Sequence, residues 1–405
     1  MKLLYKSALP FASVLLILAA CSSKNKDKVQ SATGPANSKP LDTVTLLAYN
    51  PKQADKKIDA VMQELHRTRG FNGNVLVAKK GKIIYENAIG WADYLHRDSL
   101  RIGSQFELAS VTKTMTSTAI LMLMERGKLT LDDDVKKFFP DFPYDGVTIR
   151  LLLTHRSGMM NYVYFIDDIY RSQHLNQKKG ISNMDAMKMI AQYKPRPFNV
   201  PNKRFLYNNS NFMVLGSIIE KVSGESYAQF MKDNVFKPAS MLHTNVYSKA
   251  VYDKIPVHVV GHDRGQWKYS VAQNFLDGPV GDKGIYSTVK DLFLFDRALR
   301  AGILLKQSTL DSAYVPRNPM LHGHFSYGYG WRTFTAPGQE VIYHTGWWHG
   351  FRHIYLRDMK NDITIVLLSN LANGSLLKLD DLFNAAGMPI VRKSAYNGNG
   401  DTSDD

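Results

Sequence analysis

The 405-residue sequence contains a single cysteine, Cys21. One thiol excludes an intramolecular disulfide, and it excludes a metal site built from several cysteines. Among the histidines in the last quarter of the chain are His322, His324, His349 and His353, but no carboxylate joins these four at metal-ligand spacing. The sequence therefore predicts no disulfide framework, no bound metal and no cofactor.

Motifs for nucleotide or nucleic-acid binding are lacking as well. The chain has no P-loop, and no zinc-finger, helix-turn-helix or basic-zipper pattern accompanies its formal net charge of +15. The charge is spread along the chain, which is typical of a solvated surface and suits an anionic membrane or cell-wall polymer. A hydrophobic content of 44% indicates a globular protein that can bury a large core.

Long apolar runs are scarce, and the run at the N-terminus is too short for a usual membrane span. Two lysines precede the apolar stretch Ala8–Ala20, an arrangement typical of a secretory signal peptide. The stretch ends in Leu-Ala-Ala-Cys21, which resembles the lipobox of bacterial lipoproteins. We therefore expect residues 1–20 to be removed and Cys21 to carry lipid. The lipid would anchor the protein to a membrane of the bacterial cell envelope, facing the periplasm or the exterior.

Two segments have the composition of flexible chain. Residues 21–54 are rich in Ser, Lys, Asn and Pro and show little periodicity, so we expect a tether between the anchor and the folded body. Residues 391–405 form a polar tail that we expect to be disordered. The intervening residues 55–390 are expected to form one folded domain.

The most informative pattern is a serine and a lysine three residues apart, Ser110 and Lys113, at the start of an apolar helix that is predicted to end at Arg126-Gly127. Residues at this spacing share one helix face, so a lysine can take the proton of a serine hydroxyl, which is a weak nucleophile by itself. Free N–H groups at a helix N-terminus can also receive a developing oxyanion. The same spacing occurs where a serine merely caps a helix and the lysine is solvated.

Two further motifs follow in order along the chain. Tyr207-Asn-Asn209 precedes a second predicted apolar helix, and His344-Thr-Gly346 lies between two strand-like runs. Together with the serine–lysine pair they resemble the S-x-x-K, Y-x-N and K/H-T-G set of the serine β-lactamases and penicillin-binding proteins.

The resemblance is to the class C branch of this family, which includes class C β-lactamases, serine DD-carboxypeptidases, related esterases and D-aminopeptidases. It extends over roughly residues 55–385. Further segments that resemble the family are Phe71–Glu86, Lys128–Val135, Leu151–Met159, Gly281–Leu292 and Ile365–Asn370.

The family's fold is an α/β structure in which helices flank an antiparallel sheet, with an inserted all-α subdomain and an active site between the two. The sequence pattern agrees, because β-like runs lie near both ends and helical patterns lie between, with the helical subdomain within about residues 125–275. The predicted strands are Val75–Ala78, Lys82–Ala88, Tyr327–Phe334, Val341–Tyr343, Phe351–Leu356 and Ile363–Leu368. Helices are predicted over Asp55–Arg69, Phe212–Val222 and Leu376–Ala386.

The resemblance also implies a catalytic role for each motif. Ser110 would be the nucleophile, and Lys113 and Tyr207 would activate it, although the sequence leaves open which of the two takes the serine proton. The backbone N–H groups of Ser110 and Trp347 would form the oxyanion hole.

Substrate binding is assigned by the resemblance to Asn209, His344, Thr345 and Gly346. Asn209 would orient the substrate's amide carbonyl, and Gly346 would let a substrate backbone approach closely. His344 stands where β-lactamases of the family have lysine, and an unperturbed histidine is mostly neutral at pH 7. We therefore predict weak capture of a substrate carboxylate, and slower hydrolysis of β-lactams than of peptides or esters.

The resulting hypothesis is a cell-envelope serine hydrolase that acts on D-alanyl peptides, amides or esters through an acyl-enzyme. The alternatives are a β-lactam-hydrolysing enzyme of the class C type and a catalytically weak module that binds wall peptides or a partner. A rival nucleophile is Ser226, in a near-miss to the G-x-S-x-G motif. That motif needs a strand before the serine, whereas a helix is predicted to end there.

Overall fold

The computed structural model describes residues 40–247, 254, 258–263, 269–318 and 324–388. The predicted signal peptide, the predicted lipidation site Cys21, the first part of the predicted tether and the predicted tail at 391–405 lie outside the described residues. Among the residues that are described, none of the helices has the length and hydropathy that a bilayer span requires.

The strands are β1 Gly73–Lys79, β2 Lys82–Ile89, β3 Trp91–Asp93, β4 Asp98–Ser99, β5 Phe106–Glu107, β6 Asn245–Val246, β7 His262–Asp263, β8 Ile285–Ser287, β9 Phe325–Tyr327, β10 Arg332–Ala336, β11 Gln339–Trp348, β12 Phe351–Asp358, β13 Ile363–Ser369 and β14 Leu371–Ala372. The α-helices are α1 Thr43–Leu46, α2 Lys56–Arg69, α3 Thr112–Glu125, α4 Ile149–Leu153, α5 Tyr162–Ser172, α6 Asn183–Tyr193, α7 Asn209–Ser223, α8 Tyr227–Met231, α9 Val289–Arg300, α10 Gln307–Tyr314 and α11 Asp380–Ala386.

Seven strands from the two ends of the chain form one antiparallel sheet, in the order β2-β1-β13-β12-β11-β10-β9. The first hairpin is closed on the later strands by the pairing of β1 with β13, from Gly73 opposite Ser369 to Lys79 opposite Ile363. The antiparallel sheet predicted from the sequence is therefore confirmed, and it brings chain segments almost 300 residues apart in sequence into register.

Both faces of the sheet are covered by helices, as the alternation along β1 requires. Val75 and Val77 belong to a cluster that includes residues of α2 and α11, whereas Leu76 and Ala78 belong to the larger cluster that includes α3, α7 and α9. Helix α3, which follows Ser110, packs on α7. The site region therefore lies where the larger helical layer meets the sheet.

Helix ends follow the signals in the sequence. The Asp55 side chain accepts hydrogen bonds from the first turn of α2, and Gly70 ends that helix in a left-handed conformation at φ 69°. Gly224 ends α7 in the same way, and Gly127 follows α3 with φ 67°. These three predicted helix ends are confirmed.

The predicted strand Tyr327–Phe334 was wrong, since the structure has two strands there, β9 and β10. A turn separates them because Gly330 has φ 74° and lies so close to α3 that a Cβ atom would come within 2.5 Å of Ser117 Cβ. The final predicted helix is also divided, into a 3₁₀ turn at Ser375–Leu377 and α11.

The last part of the predicted tether, residues 40–54, contacts the folded body. Residues 40–54 include α1 and a 3₁₀ turn at Pro51–Gln53, and Leu41, Leu46 and Tyr49 pack against the main core. Apolar side chains within this otherwise polar stretch explain this contact, because burying them favours packing against the folded body.

Candidate active site

Ser110 lies in a tight turn rather than in the first turn of the helix. The 3₁₀ turn Ala109–Val111 precedes α3, and the Val111 N–H donates to the Leu108 carbonyl at 3.1 Å. Ala109 has φ 49°, a left-handed conformation that is strained by about 1–3 kcal/mol in a residue with a Cβ atom. The turn leaves Ser110 partly exposed, whereas Lys113, one helical turn further on, is fully buried.

The Lys113 ammonium is surrounded by three oxygen acceptors. Its Nζ lies 2.9 Å from Ser110 Oγ, 2.8 Å from Asn209 Oδ1 and 3.0 Å from the Asp282 backbone oxygen. An ammonium has three N–H donors, so this geometry satisfies all of them. The structure thus brings together Ser110, Lys113 and Asn209, although Asn209 lies 96 positions after Lys113 in the sequence.

The Asp282 carbonyl is held in place by a buried network behind it. The Tyr162 hydroxyl donates to the Asp282 carboxylate at 3.1 Å, and Lys283 Nζ donates to the Tyr162 hydroxyl at 2.5 Å. The indole N–H of Trp348 donates to Asp277 nearby in the chain, at 2.6 Å. The side chains of Tyr162 and Trp348 thus both have polar partners within residues 277–283.

Two cations lie near the ring of Tyr207. Lys113 Nζ is 5.0 Å from the centre of the Tyr207 ring, and the guanidinium carbon of Arg332 is 5.1 Å from it. The ring also packs on the imidazole of His155, with 4.3 Å between ring centres. The following residue, Asn208, caps α7 by accepting from the Ser210 N–H. The Y-x-N segment is therefore both a helix start and one wall of the site.

The third motif lies within β11, at the part of this strand that extends beyond its neighbour. Strand β10 pairs with β11 only as far as Tyr343, opposite Arg332. Thr345 and Trp347 follow, paired on the other side with β12, and this part of β11 lies against the 3₁₀ turn that carries Ser110.

Gly346 lies against the turn that carries Ser110. A Cβ atom at this position would come within 2.5 Å of the Leu108 carbonyl oxygen and 3.4 Å of Ala109 Cβ. The absence of a side chain therefore lets β11 approach the turn that carries Ser110. The predicted role of Gly346 toward a substrate backbone stays a prediction.

His344 does not line the cleft as the sequence predicted. Its side chain is fully buried, its Nδ1 lies 2.7 Å from the Thr345 carbonyl oxygen, and its Nε2 lies 2.9 Å from the Tyr327 hydroxyl. Burial lowers the pKa of His344 well below 6.5, and the nearby cations Arg332 and Lys113 lower it further. His344 is thus a neutral support of the strand, with both ring nitrogens engaged by protein.

Arg332 is the functional candidate that sequence reasoning missed. It lies partly exposed on β10, directly opposite Tyr343, so that it neighbours His344 across the strands. Its guanidinium lies over the rings of Tyr207 and Tyr327. A basic residue one strand away from the third motif is the signal that could have found it, but only once the strand register is known.

The structure gives the rival nucleophile Ser226 a role at a helix end. Ser226 caps α8 by accepting from the Gln229 N–H, and it is exposed. Within the described ranges, no group of three or more His, Cys, Asp or Glu side chains is arranged to hold a metal ion.

Comparison with known proteins identifies relatives over most of the chain. The family model described as "Beta-lactamase" matches residues 55–386. Penicillin-binding protein 4* of Bacillus subtilis is 33% identical over 330 residues, which are 78% of this chain and 71% of that protein.

Two solved structures have the same fold. The penicillin-binding protein from Bacillus halodurans superposes with a TM-score of 0.70 at 23% identity, covering 84% of this chain and 99% of that one. The D-amino acid amidase from Ochrobactrum anthropi SV3, in complex with L-phenylalanine amide, gives a TM-score of 0.69 at 21% identity, covering 82% and 97%.

Proposed function

Since the chain belongs to the β-lactamase family, whose members are generally serine hydrolases, we propose that it hydrolyses D-alanyl peptides, D-amino-acid amides or esters through an acyl-enzyme on Ser110. The observation that carries this proposal is the contact of Lys113 Nζ with Ser110 Oγ at 2.9 Å, inside a buried set of acceptors. A lysine that merely lies on the solvated surface of a helix would be exposed, whereas Lys113 is fully buried.

The proposed reaction has two steps. Ser110 Oγ attacks the substrate carbonyl carbon and gives up its proton, and the N–H groups of Ser110 and Trp347 stabilise the oxyanion. The leaving amine or alcohol takes up a proton as the carbonyl reforms, which leaves an ester on Ser110. Water then adds to this ester, and a second oxyanion collapses to release the acid and the free serine.

We assign the base to Tyr207. Lys113 has an acceptor for each of its three ammonium hydrogens, which favours its charged form. A charged lysine cannot accept the serine proton, but it would stabilise a phenolate at Tyr207, as would Arg332, which also lies near the ring. Asn209 holds the lysine and would orient the acyl part of the substrate.

Arg332 supplies the cation that His344 does not. It is partly exposed beside Tyr207, and a guanidinium binds a carboxylate with two parallel hydrogen bonds. We therefore propose that Arg332 binds the terminal carboxylate of a D-alanyl peptide, which changes our expectation that carboxylate capture is weak.

Replacing Arg332 by glutamine is expected to raise KM for substrates that carry a carboxylate more than KM for neutral substrates. Loss of a charge-assisted pair should raise KM for a D-alanyl peptide about 10- to 100-fold, in line with ~1.5–3 kcal/mol for such a bond. A neutral p-nitrophenyl ester should be affected much less. The matched control is Arg317→Gln, which removes an arginine that is bonded instead to Ser312. An equal loss for both substrates in Arg332→Gln would reject the carboxylate role.

The β-lactam-hydrolysing alternative is kept because the same arginine would bind the carboxylate of a cephalosporin. Values of kcat/KM for a chromogenic cephalosporin, a D-alanyl peptide and a p-nitrophenyl ester decide between them. We expect the cephalosporin to be the slowest, and turnover of it well above the other two would establish a β-lactamase instead. A protein that turns over none of the three and forms no covalent adduct would be the binding module.

We also propose that the protein acts at the cell envelope, held to a membrane by lipid on Cys21. The support is the lipobox-like sequence before this sole cysteine and the polar segment after it. Cys21→Ser is expected to move the protein from the membrane fraction to the soluble fraction, measured by fractionation and immunoblotting. A mutant that remained in the membrane fraction would contradict the anchor.

A further inference from the structure

A buried tyrosine joins two histidines on opposite sides of the site. His155 follows α4 in the helical part of the fold, and His344 lies on β11. The Tyr327 hydroxyl lies 3.2 Å from His155 Nε2 and 2.9 Å from His344 Nε2. All three side chains are fully buried or nearly so, with at most 1% of their surface exposed.

The direction of each hydrogen bond on the helical side follows from its donors. The backbone N–H of Asn208 lies 3.1 Å from His155 Nδ1, and the side-chain amide nitrogen of Asn211 lies 2.9 Å from it. A backbone N–H can only donate, so His155 Nδ1 must be an acceptor. In the neutral ring the proton is then on Nε2, and His155 donates to the Tyr327 hydroxyl.

The direction on the sheet side is fixed in the same way. A carbonyl oxygen can only accept, so His344 Nδ1, at 2.7 Å from the Thr345 oxygen, must carry a proton. His344 Nε2 is then an acceptor in the neutral ring, and the Tyr327 O–H donates to it. The two histidines therefore have opposite tautomers, and the single hydroxyl of Tyr327 accepts from one and donates to the other.

This chain of hydrogen bonds orients groups and does not move protons. It begins at the amide of Asn208 and ends at the carbonyl of Thr345, and neither backbone group gives up or takes up a proton at neutral pH. Burial and the cations Lys113 and Arg332 lower the pKa of both histidines well below 6.5. Charged forms that would break the pattern are therefore disfavoured.

The two ends of this hydrogen-bond chain lie next to the two halves of the site. Asn208 follows Tyr207, whose ring packs on His155, and Thr345 precedes Gly346 on the strand beside Ser110. We infer that Tyr327 is a positioning residue, which sets the distance between the Tyr207 turn and β11 because its hydroxyl bridges His155 and His344. The opposite tautomers that allow this bridge are fixed by the backbone partners of the two histidines. The inference rests on the proposed function, in which both halves act on one substrate.

The direct test is the tautomer of each histidine, read from ¹⁵N side-chain chemical shifts of the mature protein at pH 7. The expected result is Nε2–H for His155 and Nδ1–H for His344, assigned by comparison with His155→Gln and His344→Gln spectra. A charged ring, or the opposite tautomer at either residue, would overturn the inference. This measurement needs no substrate, so it stands apart from any failure of the proposed hydrolysis.

The functional test is Tyr327→Phe, which removes the hydroxyl and keeps the ring. We expect kcat for a p-nitrophenyl ester to fall about 10- to 100-fold, as for a misplacement on the order of 1 Å. Both tautomers should persist, because their backbone partners remain, while the ¹⁵N shifts of both Nε2 atoms change as the shared hydroxyl is lost. Covalent labelling of Ser110 should continue at a lower rate. The matched control is Tyr329→Phe, another buried tyrosine, whose hydroxyl accepts from Arg150 instead. Unchanged Nε2 shifts, or kcat within twofold of the unmodified enzyme, would reject the role of Tyr327.

Discussion

Replacing Ser110 by alanine is expected to abolish acyl-enzyme formation and to lower kcat/KM by on the order of 10⁴- to 10⁶-fold, as the loss of an activated serine does elsewhere. The reason is that Ser110 Oγ is the group that contacts Lys113 Nζ. Without the oxygen, no covalent intermediate can form, and only binding and the oxyanion hole remain. The measurement is steady-state hydrolysis of a p-nitrophenyl ester and labelling by a fluorophosphonate or penicillin probe.

The matched control is Ser226→Ala. Ser226 is exposed and caps α8, so its loss should lower the free energy of unfolding by about 1 kcal/mol and leave kcat/KM unchanged. Labelling that persists in Ser110→Ala, or that maps to Ser226, would contradict the assignment of the nucleophile.

Replacing Lys113 by methionine is expected to lower kcat/KM by about 10³-fold or more, while the side-chain volume is nearly kept. Methionine leaves the oxygens of Ser110, Asn209 and Asp282 without the donor that joins them. It also removes one of the two cations beside Tyr207. The effects of Lys113→Met and Ser110→Ala should be strongly non-additive, because the two residues act as a unit.

Lys113→Arg distinguishes charge from geometry in the same experiment. A guanidinium keeps the charge, but it is planar and cannot present three hydrogens to three converging acceptors. We expect a loss similar to that of Lys113→Met. Recovery of most of the activity in Lys113→Arg would show that the positive charge alone suffices, and activity of Lys113→Met within tenfold of the unmodified enzyme would remove Lys113 from the mechanism.

Local sequence predicted the parts of the site that depend on short-range geometry. The spacing of Ser110 and Lys113 on one turn fixes their proximity whatever surrounds them. The order of the three motifs then indicated the family, and with it the antiparallel sheet and the helices around it. The capping residues Asp55 and Gly224 likewise act within one helix, so their signals could be interpreted without the fold.

The residues whose roles the sequence did not reveal are positioned by contacts with residues distant in sequence. Arg332 reaches the site because β10 pairs with β11 in one particular register. His344 is buried, and its Nε2 is bound by Tyr327 from another strand. Gly346 is constrained by Leu108, more than 200 positions earlier. None of these neighbours has a spacing in the sequence that could reveal it.

The most direct test of an acyl-enzyme on Ser110 is the mass of the intact protein after brief exposure to a panel of acyl donors. The panel contains a penicillin, a D-alanyl ester and a D-amino-acid amide, followed by peptide mapping of any adduct. We expect that at least one donor adds the mass of its acyl group, that the group maps to Ser110, and that Ser110→Ala shows no adduct. An adduct on any other residue, or turnover of these donors by Ser110→Ala at the rate of the unmodified enzyme, would contradict this expectation.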